Sequence, residues 1–160
     1  MPAFSFDPIG TIHSPHTNLE GMPIQPTGAA NMEGTVHILD EFVAGLKDLE
    51  GFSHIILIYA FHGSTGFNLE VTPFMDTVPR GLFATRAPRR PNPIGLSVVQ
   101  LVGRHEGILT IRGVDILDGT PLLDIKPFVP KFDSPEVTAT GWLETNAPKA
   151  EKLRSDERFT

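Results

Sequence analysis

Arg86, Arg89 and Arg90 stand in a run, Arg86-Ala87-Pro88-Arg89-Arg90-Pro91-Asn92-Pro93-Ile94-Gly95-Leu96-Ser97, that holds three prolines between positions 88 and 93. Each proline fixes its own φ near about −65° and pushes the residue before it towards an extended conformation, so the loop is stiff. Guanidinium groups on a stiff loop project in fixed directions, and their planar fork matches carboxylate and phosphate oxygens. The chemistry this predicts is the reading of an anion or ligand, with Gly95 allowing close approach of that ligand or a turn at positive φ. An exposed proline-rich connector carrying solvated arginines is the other reading of the same residues.

A second segment combines turn residues with charge: Asp115-Ile116-Leu117-Asp118-Gly119-Thr120, followed by Asp124 and Lys126. Paired carboxylates could serve a glycosidase, yet acidic residues at turns are more often caps and solvated corners. Six histidines raise a metal site. His13 and His16 are two ligands in a proline-interrupted loop with no third partner, so no metal is expected. Ser53 and Ser97 have no nucleophile elbow or acid–base set around them. His62, next to Phe61 at the exit of a strand, is placed to line a pocket. His54 bracketing the same strand lies roughly 26 Å away and reads as structural.

The elements that must position these residues are mostly strands. Ser53 to His62 is an unbroken apolar run of strand length and should be central. Phe4 to Ile12, interrupted by Pro8, suits a first or edge strand, and Gly34 to Leu39 a short one. Asp40 is expected to cap a helix over Glu41 to Leu49 that Gly51 stops. Gly81 to Thr85 reads as a short strand entering the arginine loop. Ser97 to His105 and Gly107 to Val114 read as a hairpin turning at Glu106-Gly107, and Pro121 to Phe128 as a last strand. The loop at His13 to Ala30, with Gln25-Pro26 near its end, is long enough to be a binding loop, and Gly63 to Arg80 is a second loop with little periodicity. About seven strands with one or two short helices predict a mainly β fold, a single small β-barrel domain. The arginine loop and the Asp115 turn both adjoin strong strands, so their tips can converge at one rim.

The chain has 160 residues, enough for one domain with a core. It divides into a barrel over 1–130 and a tail over 131–160, where Trp142 and Leu143 could dock on the body or on a partner subunit and Pro148 to Arg158 could form a polar helix. No apolar run reaches the ~18 residues of a membrane span, and the first residues lack an export signal. Cysteine is absent, which excludes disulfides and thiolate chemistry and suits the cytoplasm. The net charge of −6 argues against a general nucleic-acid binder. Arg80, Arg86, Arg89 and Arg90 nonetheless make a local basic patch, and local charge is what an RNA contact needs.

Four stretches together resemble one family. Phe6 to Pro15 (FDPIGTIHSP), Phe52 to His62 (FSHIILIYAFH), Gly81 to Leu101 (GLFATRAPRRPNPIGLSVVQL) and Val114 to Pro130 (VDILDGTPLLDIKPFVP) are similar to the signature segments of the TsaA/TrmO family. The motif R-x-x-x-RPNPIG-x-S, from Arg86 to Ser97, is long and rare in composition, which makes the resemblance specific. The family's activity is S-adenosylmethionine-dependent methylation of tRNA at N6 of threonylcarbamoyladenosine, beside the anticodon. The resemblance implies a small barrel that forms a homodimer and holds the cofactor near the subunit boundary. It also implies cofactor contacts at Gln25, Pro26, Phe61, His62, Arg86, Leu96, Arg112, Gly113, Val114 and Asp115. Within that set Phe61 suits a flat ring face, Arg86 a carboxylate, and Asp115 a ribose hydroxyl or ammonium. Asp118 or Asp124 is then expected as base or orienting group, with Lys126 stabilising charge on the acceptor. Arg89, Arg90 and Asn92 are expected to meet the anticodon loop. Some members continue into a C-terminal domain, and this sequence reads as the short form. A methyltransferase for a small molecule or another nucleoside, and a ligand-sensing module without catalysis, are the other two classes the residues allow.

Overall fold

A computed structural model describes residues 1–18, 31–74 and 76–144. Six strands close into a barrel: β1 (Gly10–His13), β2 (Glu33–Ile38), β3 (His54–Ala60), β6 (Ile94–His105), β7 (Ile108–Arg112) and β8 (Thr120–Pro127). Their order around the barrel is β1-β2-β7-β6-β3-β8, with every neighbouring pair antiparallel. Two further short strands, β4 (Glu70–Val71) and β5 (Arg80–Gly81), pair with each other outside it.

Alternation decides which side chains fill the barrel, because successive residues of a strand face opposite sides. Ile55, Leu57 and Tyr59 of β3 and Gly95, Ser97, Val99 and Leu101 of β6 are buried, while the residues between them are partly or fully exposed. Ile12, Val36, Ile38, Leu109, Ile111 and Leu122 complete the interior. The apolar run at 53–62 is therefore central, as expected, but only one of its faces is core. Ile56 and Ile58 lie on the outer wall.

The antiparallel order sorts the connections. The ends of β1, β7 and β3 and the starts of β2, β6 and β8 share one rim. That rim receives the long connections 14–32, 61–93 and 113–119. The opposite rim carries the tight turn Glu106–Gly107, where Glu106 has φ 53°, and the 3₁₀ turns Asp40–Leu46 and Leu49–Gly51.

Several elements depart from the sequence reading. The first strand begins at Gly10 and not at Phe4; Pro8 offers no N–H, and Phe4 and Phe6 are exposed. The expected helix over 41–49 is two 3₁₀ turns, with Asp48 between them at φ 71°. Only Leu46 of the first turn is buried, too narrow an apolar stripe to hold a longer helix against the barrel. Leu82–Ala84 is a 3₁₀ turn where a strand was expected. The hairpin at Glu106–Gly107 and the last strand stand as read. Trp142 docks on the body, its Nε1 donating to the Ala84 carbonyl at 2.8 Å. Gln25, Pro26 and the segment Pro148 to Arg158 lie outside the described residues. Among the described residues no helix is long and apolar enough to cross a membrane.

Candidate active site

The centre of the receiving rim is built from Tyr59, Ser97 and Asp115. Tyr59 lies one residue from the end of β3 and faces inward, opposite Gly95 of β6. Gly95 does not have positive φ. Its role is steric: a Cβ there would overlap the Tyr59 ring and come within 2.8 Å of Phe61 Cζ. The missing side chain lets both rings settle across β6, packed edge to face with centroids 5.5 Å apart.

Ser97, two residues beyond Gly95 and 1% exposed, joins the ring to the acid. Its Oγ donates to Asp115 Oδ1 at 2.7 Å and lies 2.9 Å from Tyr59 Oη. A hydroxyl has one proton to give. With that proton on Asp115, the phenol must be the donor to Ser97, and the chain runs Tyr59 to Ser97 to Asp115. Burial, with the Asp115 charge adding to it, holds the Tyr59 phenol well above its usual range, so it stays a donor.

Asp115 is raised to about 6, first because burial penalises its charge. The Ser97 hydrogen bond, its own backbone N–H and the Arg86 guanidinium pull the other way and lose. Arg86 therefore shares a local field with Asp115 although it arrives from the other long connection. Gly113, at φ 90°, turns the chain out of β7 in a conformation a side chain would strain. Its N–H donates to the Met32 carbonyl at 2.8 Å, and His16 Nε2 lies 3.0 Å from the Val114 carbonyl, so the 113–115 segment is pinned from both sides. Val114 is fully buried.

Phe61, Arg86, Gly113, Val114 and Asp115 thus meet at one rim, with exposed His62 beside Phe61. Arg112, at the end of β7, is paired with Glu33 across the β2 register at 3.4 Å. Leu96 points outward from β6, opposite Ile58, and is half exposed.

Asp118 belongs to a neighbouring knot. It accepts the Ser14 backbone N–H and lies against His13 Nδ1, each at 3.1 Å. Ser14 Oγ donates in turn to the Ile116 carbonyl. The Ser14 bond above all, with His13 adding, holds the Asp118 carboxyl below its usual range. A carboxylate favoured in its charged form is a weak proton acceptor and a good tie between β1 and the 115–119 turn.

Asp124 and Lys126 sit elsewhere. The β3–β8 register shifts between Ile58 and Tyr59, leaving Leu123 as the extra residue of a bulge. Beyond it Asp124 pairs with Ile58 and Lys126 with Ile56, so both charges face the outer wall, 2.9 Å apart. The structure does not bring them to Asp115.

In the arginine loop, Arg90 is a staple. Its Nη1 donates to the Thr85 carbonyl at 2.9 Å and the Ala87 carbonyl at 3.1 Å. Arg89 Nε is buried with no hydrogen-bond partner. Asn92 is exposed, and its carbonyl accepts the Ile94 N–H at 2.8 Å. Among the described residues no three histidines and carboxylates gather as a metal site.

Sequence reasoning missed Tyr59 and Ser97 as members of the site. Alternation gave no signal for them: Ile94, Leu96 and Val98 would send Ser97 outward, and the run 53–62 is apolar on both faces; only their burial shows a phenol and a hydroxyl that need partners.

A family described as the tRNA-methyltransferase O N-terminal domain matches residues 11–134. A probable S-adenosyl-L-methionine-binding protein of Pyrococcus abyssi is 58% identical, covering 96% of this chain and 84% of its own length. The tRNA (adenine(37)-N6)-methyltransferase of Escherichia coli is 36% identical over 94% of this chain and 68% of itself. A crystal structure of TrmO from Pseudomonas aeruginosa superposes with a TM-score of 0.77 at 38% identity, over 92% of this chain. This chain spans 65% of that protein's length. A motif predicted to be family-specific, a closed barrel and these relatives agree: the chain belongs to the tRNA-methyltransferase O N-terminal domain family.

Proposed function

We propose that this protein is an S-adenosylmethionine-dependent methyltransferase acting on adenosine 37 of tRNA, and that its substrate carries the threonylcarbamoyl group on N6. The observation that carries the reading is the convergence of Phe61, Arg86 and Asp115 at the rim, in a chain whose relatives are named for that cofactor and that reaction.

The donor set fits the cofactor. A flat ring, a guanidinium and a carboxylate suit an adenine, a carboxylate and an ammonium or ribose hydroxyl. When bound, the cofactor supplies an electrophilic methyl group on sulfur. The protein's part is to hold the partners at near-attack distance and to receive the acceptor nitrogen's proton. The backbone at Gly113 and Val114 is rigid enough to read a base edge, and Gln25 and Pro26 are proposed to close the site from the first loop.

Leu96, Asp124 and Lys126 share the outer wall around Ile58 and Ile56, next to exposed Ile94. A site using both the rim and this wall needs a second subunit. That supports a homodimer with the cofactor near its boundary, in which Asp124 and Lys126 orient the acceptor. The unit that acts is proposed to be the barrel of residues 1–130, working in the cytoplasm, with 131–160 as its tail. Arg89 and Asn92 are proposed to meet the anticodon loop.

The test is transfer of labelled methyl from S-adenosylmethionine to tRNA with and without the threonylcarbamoyl group. Label confined to the modified tRNA supports the reading. Label on both removes the finer substrate, and label on neither removes the reaction.

A further inference from the structure

The connection between β3 and β6 carries an aromatic ring that the fold does not bury. Leu82 and Ala87 are buried in a small satellite core with Val71 and Phe74. The 3₁₀ turn Leu82–Ala84 therefore has one side anchored inward and turns Phe83 the other way, 73% exposed. A phenylalanine left mostly in water forgoes the gain that burial would bring, so the exposed ring is unexplained by stability.

Its surroundings are stiff and basic. The Arg90 guanidinium lies 5.8 Å from the Phe83 ring centroid and is fixed there by the Thr85 and Ala87 carbonyls. Trp142 Nε1 holds the Ala84 carbonyl, and the Arg80 guanidinium stands 5.7 Å from the Trp142 ring. Arg80 is in turn tied to Asp76, Nε to Oδ2 at 2.7 Å. Arg86, three residues along, shares the Asp115 field, and Arg89 Nε lacks an acceptor. In a protein of net charge −6, four arginines fall within residues 80–90, and Arg90 among them lies against the exposed ring.

We infer that Phe83 is a stacking platform for an unpaired base of the RNA loop that presents the target adenosine, with Arg90 backing the ring and Arg89 facing a flanking phosphate. This deepens the proposed function and rests on it for the identity of the RNA. The chemistry is that of single-strand recognition, in which an aromatic face takes any base while cations follow the backbone. It also reassigns Arg90, whose Nη1 is spent on carbonyls, from phosphate contact to support of the ring.

The experiment uses the whole chain and an anticodon stem-loop RNA carrying the modified adenosine. Kd is measured for wild type, Phe83→Ala, Phe83→Leu and Phe83→Trp, together with S-adenosylmethionine affinity, methyl transfer and sedimentation. The expected result is an RNA Kd raised roughly 5- to 150-fold in Phe83→Ala, the range of base–aromatic stacking. Phe83→Leu should be weakened similarly, Phe83→Trp rescued, and cofactor affinity and oligomeric state unchanged in all three. Wild-type RNA affinity in Phe83→Ala overturns the inference while leaving methyl transfer intact. A changed oligomeric state in Phe83→Ala also overturns it, since the ring would then cover a second copy. RNA binding through Phe83 without methyl transfer by the wild type would instead sink the proposed reaction and leave this surface standing.

Discussion

Replacing Asp115 by Asn should make the protein more stable and less able to hold its cofactor, and the stability gain should depend on pH in a defined direction. The Asp115 carboxyl is raised from 3.8 to about 6 in the folded protein. The folded state therefore binds the proton more tightly than the unfolded chain, and between those values the folded state carries more protons. Stability contributed by this group is present at low pH and is lost as pH rises through that window. A rise of about two pH units at roughly 1.4 kcal/mol each gives a penalty of about 3 kcal/mol near neutrality. Asn cannot ionise and can still accept from Ser97 Oγ, whose bond to Asp115 is 2.7 Å. Urea denaturation of Asp115→Asn and wild type at pH 7.5 should show the variant ahead by about 1–3 kcal/mol, the lower end allowing for imperfect amide pairing. The gap should close as pH falls towards 4. A constant gap, or a variant less stable at every pH, would refute the claim that the site stores an unfavourable buried charge.

The same titration predicts function: S-adenosylmethionine affinity, measured by calorimetry, should fall as pH drops through about 6, because protonated Asp115 loses an acceptor. Asp115→Asn should flatten that profile. Ser97→Ala should weaken cofactor binding about 10-fold and move the break to higher pH, since the acid stays but loses the hydrogen bond that favours its charge. Gly95→Ala should lower stability by about 1–3 kcal/mol in thermal denaturation by pushing Tyr59 and Phe61 off β6, an overpacking effect. Asp118→Asn should destabilise the fold by about 1 kcal/mol while sparing the transfer rate. Asp124→Asn and Lys126→Met should cut the transfer rate at unchanged cofactor affinity, read in single-turnover methyl transfer.

The barrel was legible because period-two patterning is a local property. The apolar run at 53–62 announces a central strand, though not which of its faces is core, and Glu106-Gly107 announces its turn. What could not be read were effects that depend on register. The bulge at Leu123 sends Asp124 and Lys126 to the outer wall, and a shift of one residue in pairing has no local marker in this sequence. The short 3₁₀ turns replaced a helix because the barrel end fully buries only Leu46, with Val43 and Leu49 partly buried against it, which is a property of the neighbours. Arg90 looked like a phosphate ligand until its carbonyl partners were placed. The motif from Arg86 to Ser97 was specific as a string, yet its parts do different things. Arg86 lends its charge to the field of the acid, Arg90 braces the loop, Gly95 makes room for two rings, and Ser97 orients the carboxylate.

That division explains why one stretch dominates so small a chain. This six-stranded barrel is filled by its own side chains, so its chemistry is placed where strands end. Here three long connections leave from one rim, and β6 is the strand whose first residues touch two of them. Gly95 and Ser97 receive Tyr59 and Phe61 at the start of the 61–93 connection, and Ser97 bonds Asp115 in the next. Loop positions that would otherwise wander are thereby referred to the core itself. Burial raises the energy of the carboxylate that the line from Tyr59 through Ser97 positions, and the apolar layer of Ile55 and Val99 beneath it supplies stability that offsets this. Activity and stability should then separate by layer. Substitutions below the level of Ser97 move the melting temperature with little effect on cofactor affinity at saturating folded protein, and substitutions at its level and above move affinity first.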